Sequence, residues 1–276
     1  MNKETSPPAR HRRRVTKGRA ITAGAAALGL TGGVLFASGM FSPAGAASNW
    51  PEAKGRQSVS STISVSGTLD GGYKRYYGAG ELGGDGQEEG QDPIFKLKDG
   101  AVLKNVIIGS PAADGVHCEG SCTLQNVWSE DVGEDAATFK GKSASAVYTV
   151  YGGGARSAAD KTFQFNGAGK LVVTKFHLEN FGKLVRSCGN CSTQYKRTIL
   201  VNDVDITAPG KSIVGVNTNY GDTAALRNIR IHGDSSRKIK PCVRYQGNNT
   251  GAEPKETGSG PDGTSCRYTA SDLTYN

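Results

Sequence analysis

The sequence predicts an all-β chain wound as a single-stranded parallel β-helix, one short coil after another. Three observations predict it: a short apolar strand that recurs with its turn chemistry, a spacing of one long coil between recurrences, and no capped apolar stripe of 3.6-residue period.

The recurring text is LKNVIIG at 103–109, LQNVWSED at 124–131, VVTKFHLENFG at 172–182, ILVNDVDITAPG at 199–210 and LRNIRIHG at 226–233. Its equivalent apolar positions, Val106, Val127, Phe176, Val204 and Ile229, stand 21, 49, 28 and 25 residues apart, and a strand over 147–150 fills the double interval. An antiparallel sandwich also uses many short strands, but it places turn signals at about half this spacing. In a β-helix, corresponding residues of successive coils stack at ~4.8 Å. Separation along the chain therefore becomes adjacency in space. The Gly-rich stretch 152–157 and the turn at 207–212 are expected to wall a groove, while 47–90 and 234–276 are expected to cap the two ends.

The chain opens with a basic run, Arg10, Arg12, Arg13, Arg14, Lys17 and Arg19, before an Ala/Gly/Leu-rich stretch that reaches Met40 and ends in Ala44-Gly45-Ala46. That order is an export signal with cleavage after Ala46; the route, general secretory or twin-arginine, stays open. The expected division is 1–46 export signal and 47–276 catalytic domain, and the mature chain is expected to be secreted, free of the membrane and monomeric. Removing the signal takes 33 basic residues to 26 and 25 acidic ones to 24. The net charge of +8 thus belongs mostly to the signal, which removes the case for a nucleic-acid partner.

Six cysteines remain, Cys118, Cys122, Cys188, Cys191, Cys242 and Cys266. In an exported chain an even number favours disulfides over a four-thiolate zinc site, and pairs 118–122, 188–191 and 242–266 are the simplest set.

Asp114 and Glu134 lie one coil apart, with Asp135 next, so three carboxylates are expected on neighbouring rungs. Hard oxygen ligands at that spacing suit Ca2+. Lys161 and Lys183 are also one coil apart, and Arg186 follows three residues later. Strand alternation sends Lys183 and Arg186 to opposite faces, so a corner near Gly182 is expected to reorient one of them. Carboxylates for a cation beside a cationic cluster suit elimination on a uronate polymer: the bound cation neutralises the uronate carboxylate and the cationic side chains stabilise the developing oxyanion. A base must then take the C5 proton. Nearby cations are expected to lower the pKa of a lysine there and to favour alkaline pH, and the base stays open between Lys161 and Arg186. His117, His177 and His232 lack a Ser or Cys partner in any triad motif and are expected to be structural or groove-lining. Trp128 and Tyr220 are candidates for stacking on sugar rings.

At these residues the sequence resembles the polysaccharide lyase family 3 pectate lyases. The matching text is ADGVHCEGSCTLQNVWSEDVGEDAATFKG at 113–141, GGGARSAADKTFQFNGAG at 152–169, NFGKLVRSCGNCSTQYKR at 180–197 and GVNTNYGDTAALRN at 215–228. The resemblance implies a right-handed β-helix, calcium dependence and cleavage of polygalacturonate to 4,5-unsaturated products. It places Asp114, Glu134 and Asp135 on calcium and Lys161, Lys183 and Arg186 at the catalytic cluster. Gly133 departs from the pattern, since many relatives carry Cys before the Glu-Asp pair, so Cys118 must find another partner here. Two rivals remain: a polygalacturonase-type hydrolase, whose Asn-Thr-Asp is mimicked by Asn217-Thr218-Asn219, and a calcium-dependent wall-binding β-helix without activity.

Overall fold

The structure, a computed structural model, describes residues 50–86 and 90–276. The expected export segment 1–46 lies outside the described residues. Each coil carries three short strands, and successive coils pair in parallel. The first face runs through Ile63–Val65, Phe95–Leu97, Val116–Cys118 and Ala137–Phe139, then continues in 163–165, 185–187 and 214–217. The second holds 101–104, 122–125, Val147–Tyr151, Gly169–Thr174, 197–202 and 223–227. The third holds 106–108, 127–129, 154–156, 177–179, 204–207 and 229–232. Among the described residues there is no α-helix, only three single-turn 3₁₀ segments.

The corner between the second and third faces explains why Lys-Asn, Gln-Asn and Arg-Asn recur before the apolar pair. Asn105, Asn126, Asp203 and Asn228 all take left-handed φ, at 53°, 53°, 56° and 50°. Asn and Asp enter that region at lower cost than other side-chain-bearing residues. Their side chains then ladder along the corner: Asn126 Nδ2 donates to Asn105 Oδ1 at 3.2 Å, and Asn228 Nδ2 to Asp203 Oδ1 at 3.0 Å. In the two coils between Asn126 and Asp203 the turn is made by Gly152 and Gly153, at φ 66° and 88°, and then by Lys175, at φ 56°. A Cβ on Gly153 would lie 2.1 Å from the Val127 carbonyl oxygen. The strand Val147–Tyr151 does fill the double interval, but on the second face, where Val150 pairs with Leu124 and Val173. The rung that matches Val127 and Phe176 is glycine, because Trp128 pairs with Gly154 and Gly154 with His177.

Inside the coil, aliphatic and aromatic side chains stack on their equivalents. Phe139 meets Phe165, its equivalent on the next coil, at 6.2 Å between ring centroids, and across the core it meets Tyr148 at 5.1 Å. Full burial of such side chains contributes about 1.5–3 kcal/mol each, which fixes the rungs whose outward residues form the site.

Several expectations change here. The end segments do more than cap: Ile63–Val65 and Lys240–Gln246 are parallel rungs of the coil, and only Lys255–Ser259 joins antiparallel. The stretch 152–157 turns the corner into the strand Gly154–Phe165, and 207–212 lies within the strand Arg197–Asn217. Neither lines the acidic cleft described below. Trp128 packs between Trp50 and His177 on the third face, at 5.0 and 5.8 Å, and is buried rather than poised for sugar. The disulfides are 118–122, 188–191 and 242–266, the simplest local set.

Candidate active site

Register converts the sequence spacing into a row. Val116 pairs with Ala137, so two residues earlier Asp114 stands beside Asp135. The Ala136 amide donates to the Thr162 carbonyl, which brings Lys161 to the next coil, and Lys161 pairs with Lys183. Asp114, Asp135, Lys161 and Lys183 thus follow one another on successive rungs, with Glu134 beside them. A second row on the first face runs His117, Thr138, Gln164, Arg186 and Gly215.

Asp114, Glu134 and Asp135 are buried, and one oxygen of each lies within 4.8 Å of the others. Burial, reinforced by Asp114 and only partly offset by Lys161, pushes the Glu134 carboxyl above its ordinary range. Burial likewise holds Asp135 well above its own, against the opposing charge of Lys161 and with Glu134 and Asp114 adding to the rise. Asp135 Oδ1 accepts no hydrogen bond from a described residue. Three crowded carboxylates, one with an idle buried oxygen, form a hard-oxygen donor set that fits a divalent cation of the calcium type. Among the described residues this is the one cluster of its kind.

Lys161 closes the trio on one side. Its Nζ donates to Glu134 Oε1 at 3.2 Å, lies 3.2 Å from Asp160 Oδ2 and stands 3.9 Å from Asp135 Oδ1. Burial alone favours the neutral amine, but Asp135, Glu134 and Asp160 together outweigh it and raise the Lys161 pKa. Without a cation in the trio the nearest charges are carboxylates and the shift runs upward, whereas the expected lowering is that of a lysine beside bound calcium. Asp160, which sequence reasoning passed over, bridges Lys161 and the Nζ of Lys183. Its only signal was its position next to Lys161.

Arg186 has different company. It is buried; its Nη1 donates to the Ser187 carbonyl at 2.5 Å and to Asn217 Oδ1 at 3.0 Å, and its guanidinium lies 3.9 Å from the Tyr245 ring centroid. It makes no ion pair with a described residue. Burial lowers its pKa against the weaker pull of Tyr245, Asp222 and Glu253. The reorientation relative to Lys183 does not occur at Gly182. The break in alternation falls two residues on, where Leu184 and Val185 both enter the core, so Lys183 and Arg186 both face outward.

His117 also belongs to the site. Lys140 Nζ donates to His117 Nδ1 at 3.0 Å, so the ring's Nε2–H donates to Asp114 Oδ2 at 2.6 Å. Burial, then the charge of Lys140, pushes the His117 pKa down to about 4, which keeps the ring neutral in this tautomer. The carboxylate trio, His117, Thr138 and Lys140 line a polar cleft of about 360 Å³ that also takes in Lys96, Gln164 and Asn166. A cavity of about 460 Å³ continues it toward Ser60 and Thr62, sharing Gln91, Asp92 and Lys96. The path is open and crosses several coils, as an extended chain of sugars requires.

A parallel β-helix with a carboxylate trio lining an open polar cleft and a cationic row on the rungs that follow has the architecture of a polysaccharide-cleaving enzyme. The pectate lyase family model matches residues 47–251. The probable pectate lyase E of Neosartorya fischeri is 51% identical over 221 residues, covering 79% of this chain and 83% of its own. Pectate lyase E of Emericella nidulans is 49% identical over the same shares. The crystal structure of the catalytic domain of pectate lyase PelI from Erwinia chrysanthemi matches with TM-score 0.69 at 32% identity, over 80% of this chain and all of that one. The PelI structure in complex with tetragalacturonic acid matches with TM-score 0.68 at 33% identity, over 79% of this chain and 70% of that one. The chain belongs to the pectate lyase family, and its enzyme class is that of a pectate lyase.

Proposed function

We propose that this pectate lyase is secreted, depends on calcium and cleaves de-esterified polygalacturonate by β-elimination to 4,5-unsaturated oligogalacturonides. The observation that carries the reading is the buried trio Asp114, Glu134 and Asp135 beside two cationic groups in opposite electrostatic settings: Lys161 held charged by carboxylates, Arg186 held by neutral partners. The tetragalacturonic acid bound in the Erwinia chrysanthemi relative supports the substrate.

In this reading Asp114, Glu134 and Asp135 would hold calcium, which when bound would supply positive charge to the uronate carboxylate and so ease loss of the C5 proton. Lys161 supplies fixed positive charge to the oxygens that become negative. Lys183, tethered through Asp160, adds charge from the next rung. Arg186 is the base. Its guanidine nitrogen takes the C5 proton, the C4–C5 double bond forms, the C4–O bond breaks, and the departing oxygen takes a proton from solvent. Arginine is almost wholly protonated at neutral pH. Its lowered pKa and neutral partners enlarge the reactive fraction as pH rises, so turnover climbs on the alkaline side.

The segment 1–46 is the proposed export signal and 47–276 the catalytic domain. Among the described residues no helix is long and apolar enough to cross a membrane. The mature chain is proposed to act as a monomer. The test is ultraviolet absorbance of the conjugated product from polygalacturonate, with chelator and after calcium is restored. Reducing ends released without that absorbance would mark a hydrolase, and binding in calcium without new chain ends would mark an adhesive protein.

A further inference from the structure

Arg186 carries a long side chain that its own backbone alone would not orient. Four features fix it, the first being the Ser187 carbonyl, which accepts from Nη1 at 2.5 Å. Its aliphatic stem crosses Gly215 on the next coil, where a Cβ would stand 2.8 Å from Arg186 Cδ and 3.1 Å from Tyr245 Cε2. The Tyr245 ring covers one face of the guanidinium at 3.9 Å. Asn217, wholly buried, accepts from Nη1 at 3.0 Å.

Asn217 is itself clamped. Its Nδ2 donates to the Cys188 carbonyl at 2.9 Å, which fixes the amide with oxygen toward arginine. Its backbone amide donates to Asp222 Oδ2 at 3.0 Å, and the other oxygen of Asp222 accepts from the Arg197 amide at 2.9 Å. Arg197, fully buried, ties this network to the preceding coil through the Gly167 and Asn166 carbonyls, both at 2.8 Å. A buried amide whose donor side is engaged offers arginine an acceptor with direction but no charge. An aspartate here would offer the same oxygen and a full negative charge.

Resting on the reading of Arg186 as the base, we propose that Asn217 is a positioning residue for the lyase reaction, a neutral acceptor that sets the guanidinium of Arg186 toward the substrate. The charged and titratable groups that face Arg186 are Tyr245 from Lys240–Gln246, Asp222 after the turn Thr218–Tyr220, Glu253 from the following loop, and Arg197. None replaces the contact that Asn217 makes.

The test uses the full mature chain with Asn217→Ala, Asn217→Asp and the control Arg186→Ala, each checked by thermal unfolding and by calcium titration. Asn217→Ala is expected to lower kcat about 30-fold with KM within twofold, in line with the ~10²-fold loss that a 1 Å misplacement can cause. Asn217→Asp is expected to lower kcat at pH 8 by about tenfold or more and to recover as pH rises, because a carboxylate beside the guanidinium holds its proton. A purely structural role gives a loss that does not change with pH. Wild-type turnover in both Asn217 variants, or an unshifted pH profile in Asn217→Asp, overturns the proposal, as does unfolding of both variants. Wild-type turnover in Arg186→Ala overturns instead the reading of Arg186 as base.

Discussion

Replacing Asp135 with asparagine is expected to stabilise the metal-free chain while removing its response to calcium. The oxygens of the trio lie within 4.8 Å of one another. At an effective dielectric of about 20, each carboxylate pair at that distance repels by about 3.5 kcal/mol. Asparagine removes two such repulsions, about 7 kcal/mol, and gives up the attraction of Lys161 at 3.9 Å, about 4 kcal/mol on the same scale. The net gain of about 3 kcal/mol, read where all three groups are ionised, corresponds to a rise of about 6–12 °C in Tm for a chain of this size. Wild-type protein should gain about 2.7 kcal/mol from calcium at a hundred times Kd, and the variant little. The assay is scanning calorimetry at about pH 9 in chelator and in calcium, with turnover measured alongside. A metal-free variant that melts below wild type, or one that calcium stabilises as much as wild type, refutes the electrostatic account of the trio.

Lys161→Ala and Arg186→Ala are each expected to lower kcat by about 10²–10³-fold in the ultraviolet assay, and Arg186→Lys should not rescue, since Asn217 and Tyr245 hold a planar guanidinium; wild-type rates would remove the assignment. In chelator the raised pKa values of Glu134 and Asp135 make the folded chain bind more protons than the unfolded one above the ordinary 4.5 and 3.8, so their contribution to stability falls as pH rises through that window. Calcium should flatten this fall, and Tm against pH with and without metal reads it. Asp262 acts with the opposite sign: burial works against its charge, but backbone donors at Cys266, Thr264 and Ser265 and the Arg244 side chain bring its pKa down to about 2, so its stabilisation is lost as pH drops from 3.8 toward 2. Asp262→Asn should therefore flatten the acid limb of the same curve. Opening the Cys242–Cys266 disulfide, which spans 24 residues, should cost about 3 kcal/mol in urea unfolding; an unchanged midpoint would show that the last coil is held without it.

The coil spacing was legible because apolar residues mark the rungs, and twenty to twenty-two residues between charged groups then means one rung. That sufficed to gather Asp114, Glu134, Asp135, Lys161 and Lys183. What it could not give was direction at corners. Leu184 and Val185 point inward in succession, a break in alternation that no propensity marks, and Asn180 shares its left-handed turn with residues that in other coils merely close the face. The direction of the Lys161 shift depends on the ion. The expected lowering weighed the cations beside a lysine, whereas in the metal-free chain Asp135 and Glu134, with Asp160, which the sequence reading passed over, set its charge. His117 was expected to be structural or groove-lining, and it lines the cleft while donating to Asp114; what the sequence did not mark was that carboxylate as its partner.

These partners explain how the fold tolerates three buried acids before any cation arrives. Asp114 takes a proton-bearing nitrogen from a neutral histidine, Glu134 an ammonium, and Asp135 a hydroxyl from Thr138 at 3.4 Å. Each partner comes from a rung that the aliphatic core already fixes, so the cluster needs no metal to be assembled. Such support leaves the charges crowded, since one cation and two neutral donors cannot cancel three carboxylates. The residual repulsion is what a divalent ion relieves, and a site built in this way binds its ion through stored electrostatic imbalance more than through folding around it. Calcium removal should then leave the coil intact while abolishing turnover: far-ultraviolet circular dichroism in chelator is expected to match that of the loaded chain, and loss of the strand signal would show that the ion is needed to build the rungs.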